Sequence, residues 1–106
     1  GEGVSQDYNE AAQWYRKATD QGNVSAQFRL AFMYGSGTGV AQDLQMAAQW
    51  CRKAADQGSA DAQYTLGFMY ESGEGVAQDL QKAAQWYRKA ADQGNTNAQM
   101  QMRREL

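Results

Sequence analysis

Residues 75–94 read GVAQDLQKAAQWYRKAADQG, and almost the same text stands at 39–58, with a looser version at 3–22. Trp14, Trp50 and Trp86 are 36 residues apart, as are Gly22, Gly58 and Gly94. A fixed period of this length marks a repeat array, because one such unit cannot bury its own apolar face and must stack on its neighbours. The period therefore constrains the fold to a quasi-one-dimensional solenoid before any single motif is read.

Within each unit the local signals are helical. Asp43 and Asp79 are good N-caps, and so is Asp7, with Glu10 three residues later in capping-box spacing. Gly22, Gly58 and Gly94 stand where left-handed C-terminal caps belong, and Asn23, Ser59 and Asn95 follow them as caps for a second helix. Proline is absent, so no helix is interrupted. These signals predict helices over 8–21, 24–35, 43–57, 59–72, 79–93 and from about 96, with residues 1–6 as the tail of a loop. The apolar stripes are Ala11, Ala12, Tyr15 and Ala18; Ala26, Leu30, Met33 and Tyr34; Leu44, Ala47, Ala48, Cys51, Ala54 and Ala55; and Ala62, Leu66, Met69 and Tyr70. The chain is 42% hydrophobic. Much of that is alanine, so the core should be thin and closely packed.

The reading is an all-α array of about three repeats over residues 1–106, one domain that starts in the middle of a repeat. The helix at 96–106 diverges: Arg103 replaces the small residue found at Ala31 and Gly67, Arg104 replaces Phe32 and Phe68, and Glu105 replaces Met33 and Met69. A polar capping face is expected there. The first helix lacks a preceding partner. It is expected to expose apolar surface and to support self-association through the truncated N-terminal repeat.

Little in the chain suggests catalysis. Histidine is absent and Cys51 is the single cysteine, so neither a Ser-His nor a Cys-His pair can form. Cys51 stands where the other units carry Tyr15 and Tyr87, on the apolar stripe, and reads as a small buried hydrophobe. The glycine-rich stretch 35–42 could cradle a phosphate, but Asp43 at the next helix start would repel one, and no GK[ST] follows. Asp20, Asp56 and Asp92 lie near helix C-termini, where the helix dipole disfavours them; a bond to a neighbouring repeat is one account. No convergent metal-ligand cluster is visible and no cofactor is expected. The net charge is −2 without a basic stripe, which argues against nucleic acid. No apolar run approaches the ~20 residues of a membrane span.

The residues that carry the period also carry a family resemblance. Residues 62–70 (AQYTLGFMY), 73–79 (GEGVAQD) and 82–94 (KAAQWYRKAADQG), with a similar match over 26–58, resemble the Sel-1-like repeat family, a relative of the tetratricopeptide repeats. The resemblance implies a right-handed α-α solenoid superhelix of antiparallel helix pairs with a 36-residue period. It also implies a scaffold or adaptor role, common in bacterial envelope and host-interaction proteins and in eukaryotic membrane-protein quality control. A periplasmic or secreted bacterial location rests on that resemblance alone. A cysteine-rich branch of the family pins each helix pair with a disulfide, and some of its members are linked to penicillin binding. One cysteine does not match that pattern.

Recognition is expected on the second helix of each unit. In helical projection Ala62, Leu66 and Met69 cluster on one side, while Tyr64 and Phe68 fall on the far side, with Glu71 between them and the core edge. Phe28 and Phe32 are their equivalents one repeat earlier. This aromatic stripe has two readings: packing between adjacent repeats, or an exposed concave patch that grips a peptide or protein partner. Arg29 against Thr65, and Gly35 against Glu71, differ between repeats without the fold demanding it. The candidate partner-binding residues are thus Phe28, Arg29, Phe32, Tyr64, Thr65, Phe68 and Glu71. The tryptophans lie at a stripe edge and read as serving the repeat. The expected function is a non-enzymatic interaction scaffold; a structural spacer is the alternative, and a small-molecule binder or hydrolase a remote one.

Overall fold

The computed structural model describes the backbone of residues 2–105 and the side chains of residues 8–103. The described residues form six helices: α1 (Glu2–Asp20), α2 (Val24–Ser36), α3 (Leu44–Asp56), α4 (Ala60–Ser72), α5 (Leu80–Asp92) and α6 (Thr96–Glu105). Each packs on its neighbour in sequence, with α2 on α3 and α4 on α5 most extensively. The result is elongated, 47 × 25 × 21 Å, as nearest-neighbour stacking requires.

The predicted caps are made. Asn23, Asp43, Ser59 and Asn95 accept from the backbone N–H three residues on, and Asp79 accepts from Gln81 and Lys82. The DQG text closes α1, α3 and α5 in the same way. Gly58 adopts φ +98°, its N–H donates to the Ala55 carbonyl, and the Ser59 N–H donates to the Ala54 carbonyl. This paired arrangement satisfies two carbonyls at the helix end.

The first helix differs from expectation. It runs from Glu2, so residue 7 lies within the helix and not at an N-cap, and residues 2–6 are helical where a loop was expected. The Asp7 side chain lies outside the described residues. In the later units the matching segment is held open by the helix before it. The Asp43 N–H donates to the Tyr34 carbonyl, and the Gln42 side chain donates to the Gly35 carbonyl. Residues 2–7 instead continue the backbone of α1.

The two inter-repeat loops place their glycines for two reasons. Gly37 and Gly73 end α2 and α4 with positive φ. Gly39 and Gly75 have φ +77° and +75° and also lie on the backbone of an earlier helix: a Cβ would fall on the Tyr8 carbonyl in the first case and on the Leu44 carbonyl in the second. Gly35 is helical and would meet only Ala47 at an ordinary 3.8 Å.

The core holds the expected alanines with Leu30, Leu66, Met33, Met69, Trp86 and Tyr87. Leu44 and Leu80 are exposed, although Leu44 falls on the apolar stripe. Two buried glutamines join the core. Gln63 donates to the Ala55 carbonyl at 3.1 Å and accepts from Gln93 at 2.7 Å; Gln27 accepts from Gln57 at 3.0 Å. Cys51 is fully buried, and its thiol donates to the Ala62 carbonyl at 3.2 Å. Burial pushes the thiol up to about 12, because the thiolate would be desolvated.

Gly58→Ala, at a positive φ with open surroundings, should cost about 1–2 kcal/mol in urea unfolding. Gly75→Ala adds a collision with the Leu44 carbonyl and should cost ~1–3 kcal/mol more. Equal losses at the two sites would refute the close approach. The Cys51 thiol should resist aromatic disulfide reagents at pH 8 until the chain is unfolded. Its folded pKa lies above the unfolded value of 9.0, so its contribution to stability is complete below pH 9 and falls as the pH rises toward 12. Relative to Cys51→Ala, the wild type should lose about 1.4 kcal/mol between pH 8 and pH 10.

Candidate functional site

The candidate site is built from α2 and α4, with the first half of α3 as its floor. Both side helices begin at a capped N-terminus, and the intervening αL glycine and loop return the chain along α3. Positions four residues apart on α2 and α4 therefore point into the same furrow. Phe28, Ala31, Phe32 and Gly35 of α2 face Thr65, Phe68 and Met69 of α4 across an open cavity of about 330 Å³. Leu44, Ala47 and Cys51 of α3 close its base, and Ser36 and Glu74 lie at its polar edge.

The structure divides the seven residues expected to bind a partner. Phe28, Phe32, Thr65 and Phe68 converge on this cavity. Phe32 is 65% exposed and Phe68 48%, whereas Phe28 is half-buried against the core. The Thr65 hydroxyl donates to the Asp61 carbonyl one turn back, which leaves its methyl group for contact. Arg29 is exposed in an adjoining cleft that shares Phe28 and is bounded by Gln57, Ser59 and Asp61.

Tyr64 and Glu71 belong to the stacking of the last units. The Tyr64 ring lies 5.6 Å from that of Tyr87 at 42°. Glu71 accepts from the Tyr87 hydroxyl at 2.6 Å and from Gln101 at 3.3 Å. The aromatic stripe thus serves both purposes: Tyr64 packs inside the repeat, and Phe32 and Phe68 face solvent.

Sequence reasoning placed Cys51 and Leu44 on the apolar stripe and missed their second role as cavity wall. The available signal was the break in the repeat, a cysteine where the flanking units have tyrosine. The tryptophans also separate. Trp86 is buried, with Arg52 of the preceding unit 5.4 Å and Lys89 4.6 Å from its ring; Trp50 is half-buried under Lys53; Trp14 is 69% exposed. Asp56 pairs with Arg52 at 3.1 Å within α3 and not with another repeat. Arg103 is exposed on α6, while the side chains of Arg104 and Glu105 lie outside the described residues.

A broader depression of about 1010 Å³ runs between the start of α3 and the 73–77 loop. It is lined by Gln42, Asp43, Gln45, Gln49, Arg52 and Lys53 among others. Leu66, Ala48 and Tyr70 also line it, but its surface mixes polar and apolar groups and is open, so it lacks the enclosure of a typical ligand pocket. Among the described residues no group of three or more acidic, cysteine or histidine side chains could hold a metal ion. No helix of the described residues is long and apolar enough to cross a membrane.

The Sel1 repeat profile matches residues 1–23, 24–59 and 60–95. Among solved structures, a Sel1 repeat protein from Oxalobacter formigenes is 41% identical with a TM-score of 0.82, over 85% of this chain and 37% of that one. A protective antigen present in uropathogenic Escherichia coli strains and displaying an SLR fold is 45% identical with a TM-score of 0.85, over 92% and 21%. Helicobacter pylori cysteine rich protein B is 29% identical with a TM-score of 0.79, over 82% and 65%. The chain therefore spans less than two thirds of each of these proteins. A comparison with curated proteins finds no significant match. The 36-residue period, the stacked helix pairs and the profile match over nearly every residue agree: the chain belongs to the Sel1 repeat family, right-handed α-α solenoids that commonly serve as protein-interaction scaffolds.

Proposed function

We propose that this chain is a non-enzymatic scaffold that binds a peptide or protein segment in the furrow between α2 and α4, on the concave side of the superhelix. The supporting observation is the exposure of Phe32 and Phe68 on the two walls of one apolar cavity. Two large aromatic side chains left in water beside each other are costly unless a partner covers them. Thr65 and Phe28 extend the contact surface, and Arg29 with Asp61 gives the adjoining cleft charges of both signs for an extended ligand. Tyr64 and Glu71 act through the wall they stabilise. The spacer reading requires this stripe to be covered by neighbouring repeats, and Phe32 and Phe68 are not covered within this chain.

A second reading has its own observation. Tyr8 and Trp14 expose apolar surface on α1, with Trp14 the more exposed. The Trp14 position is suited to stacking on another repeat, in a second copy of the chain or elsewhere, because its counterpart Trp86 lies under Arg52 of the preceding unit.

Peptides selected from a display library on the immobilised protein should bind Phe32→Ala/Phe68→Ala at least tenfold more weakly, with the thermal midpoint unchanged because both side chains are exposed. Undiminished binding by the double variant would overturn the furrow as the recognition surface. Light scattering over a concentration series should show reversible dimers that Trp14→Ala reduces. A strict monomer at every concentration would exclude self-association of this chain through α1.

A further inference from the structure

The cavity beside Cys51 has an internal comparison one repeat later. In the α4–α5 pair the equivalent place is filled by the Tyr87 ring. Three residues surround it: Tyr64 with its ring 5.6 Å away, Gly67, and Glu71, which accepts from the hydroxyl at 2.6 Å. A Cβ at Gly67 would stand 2.9 Å from two carbons of that ring, so glycine is required there while the tyrosine is in place. Subtracting one period gives Phe28, Ala31, Gly35 and Cys51. All four line the cavity.

The exchanges at these positions are complementary in volume. Tyrosine to cysteine removes a ring, and glutamate to glycine removes a carboxylate. Glycine to alanine returns one methyl group, which is tolerated because no ring lies above it. The backbone holding these positions is the same in both units, with matching helix lengths, caps and loop hydrogen bonds. The walls therefore stay where a ring would hold them. Part of the ring's space stays open above the buried Cys51 and the Ala31 methyl group, with Phe32 and Phe68 at the opening.

We infer that this cavity is the receptor for one aromatic side chain of the bound segment, a phenylalanine or tyrosine whose ring lies near the place of Tyr87 in the following repeat, set toward the opening by the Ala31 methyl group. The inference rests on the furrow reading above and specifies its anchor. An offset or edge-on arrangement of the incoming ring against Phe28 would follow the Tyr64–Tyr87 contact. Gly35 leaves no carboxylate at the position of Glu71, so a phenolic hydroxyl has Thr65, Ser36 and Glu74 as its polar neighbours. The site therefore accepts phenylalanine as well as tyrosine. An aromatic anchor in a pocket, ringed by weaker contacts, is the usual way a short segment concentrates its affinity.

The test uses p-cresol, the tyrosine side chain without its backbone, titrated into isotopically labelled protein and followed by amide NMR. Saturable shifts should centre on Ala31, Gly35 and Cys51. Ala31→Gly/Cys51→Tyr restores the arrangement of the next repeat and should abolish them. Cys51→Met, which fills the base without demanding room at Ala31, should weaken p-cresol at least fivefold and serves where the double variant does not fold by circular dichroism. Peptides recovered on the furrow should lose at least tenfold in affinity when their aromatic residue is changed to alanine. Absence of saturable shifts, or shifts that survive both Cys51 variants, would overturn the ring site. The furrow itself would then still stand or fall with Phe32→Ala/Phe68→Ala, which leaves the base of the cavity intact.

Discussion

The stacking depends on two places where backbone meets backbone. Gly39 and Gly75 bring the loop after one helix onto the backbone of the helix before it, at Tyr8 and at Leu44, with no room for a Cβ. Contact this close fixes the distance and angle between successive helix pairs, because a packed interface does not deform continuously. Glycine meets two demands at once there, the positive φ and the missing side chain. The alanine core follows from the same constraint: helices held this near each other admit methyl groups along their seam and few larger side chains.

Polar side chains then tie one unit to the next. Gln63 satisfies the Ala55 carbonyl at the end of α3 and takes a hydrogen bond from Gln93, so a single buried amide joins three helices. Gln42 and Gln78 satisfy the last carbonyls of α2 and α4. A buried amide is tolerated only when its groups are paired, and no described buried side-chain nitrogen or oxygen lacks a partner. This network and the glycine contacts make the units alike, and against that regular frame the departures of the middle unit stand out.

Those departures give the candidate site its shape. The third unit closes its interior with Gly67, Glu71 and Tyr87, and the second opens its interior with Ala31, Gly35 and Cys51. One scaffold thus supports a filled and an open version of the same space, a few residues apart in composition. Recognition can vary in this way without disturbing the stack, since the contacts that set the repeat geometry lie at the loops and helix ends.

Much of this was legible in the residues. The helix limits followed from caps and glycines, since Asn23, Asp43, Ser59 and Asp79 satisfy local donors whatever surrounds them. The differences at Cys51 and at Gly35 were visible as breaks in the period. Other features were not legible because they depend on groups far apart in sequence. Gln27 and Gln63 look like solvated polar residues until Gln57 and Gln93 arrive from the next turn of the stack. Tyr64 and Phe68, adjacent on one stripe, part company because only Tyr64 finds an inward neighbour in Tyr87. Asp7 has the text of a cap, yet the backbone of α1 runs through it. The period, the caps and the absence of proline determined by themselves that the chain is a helical solenoid, because those signals act within a few residues. Which aromatic side chain is covered, which glutamine is buried and which gap stays open were decided by the stacking of units 36 residues apart, because burial and pairing are properties of neighbours in space.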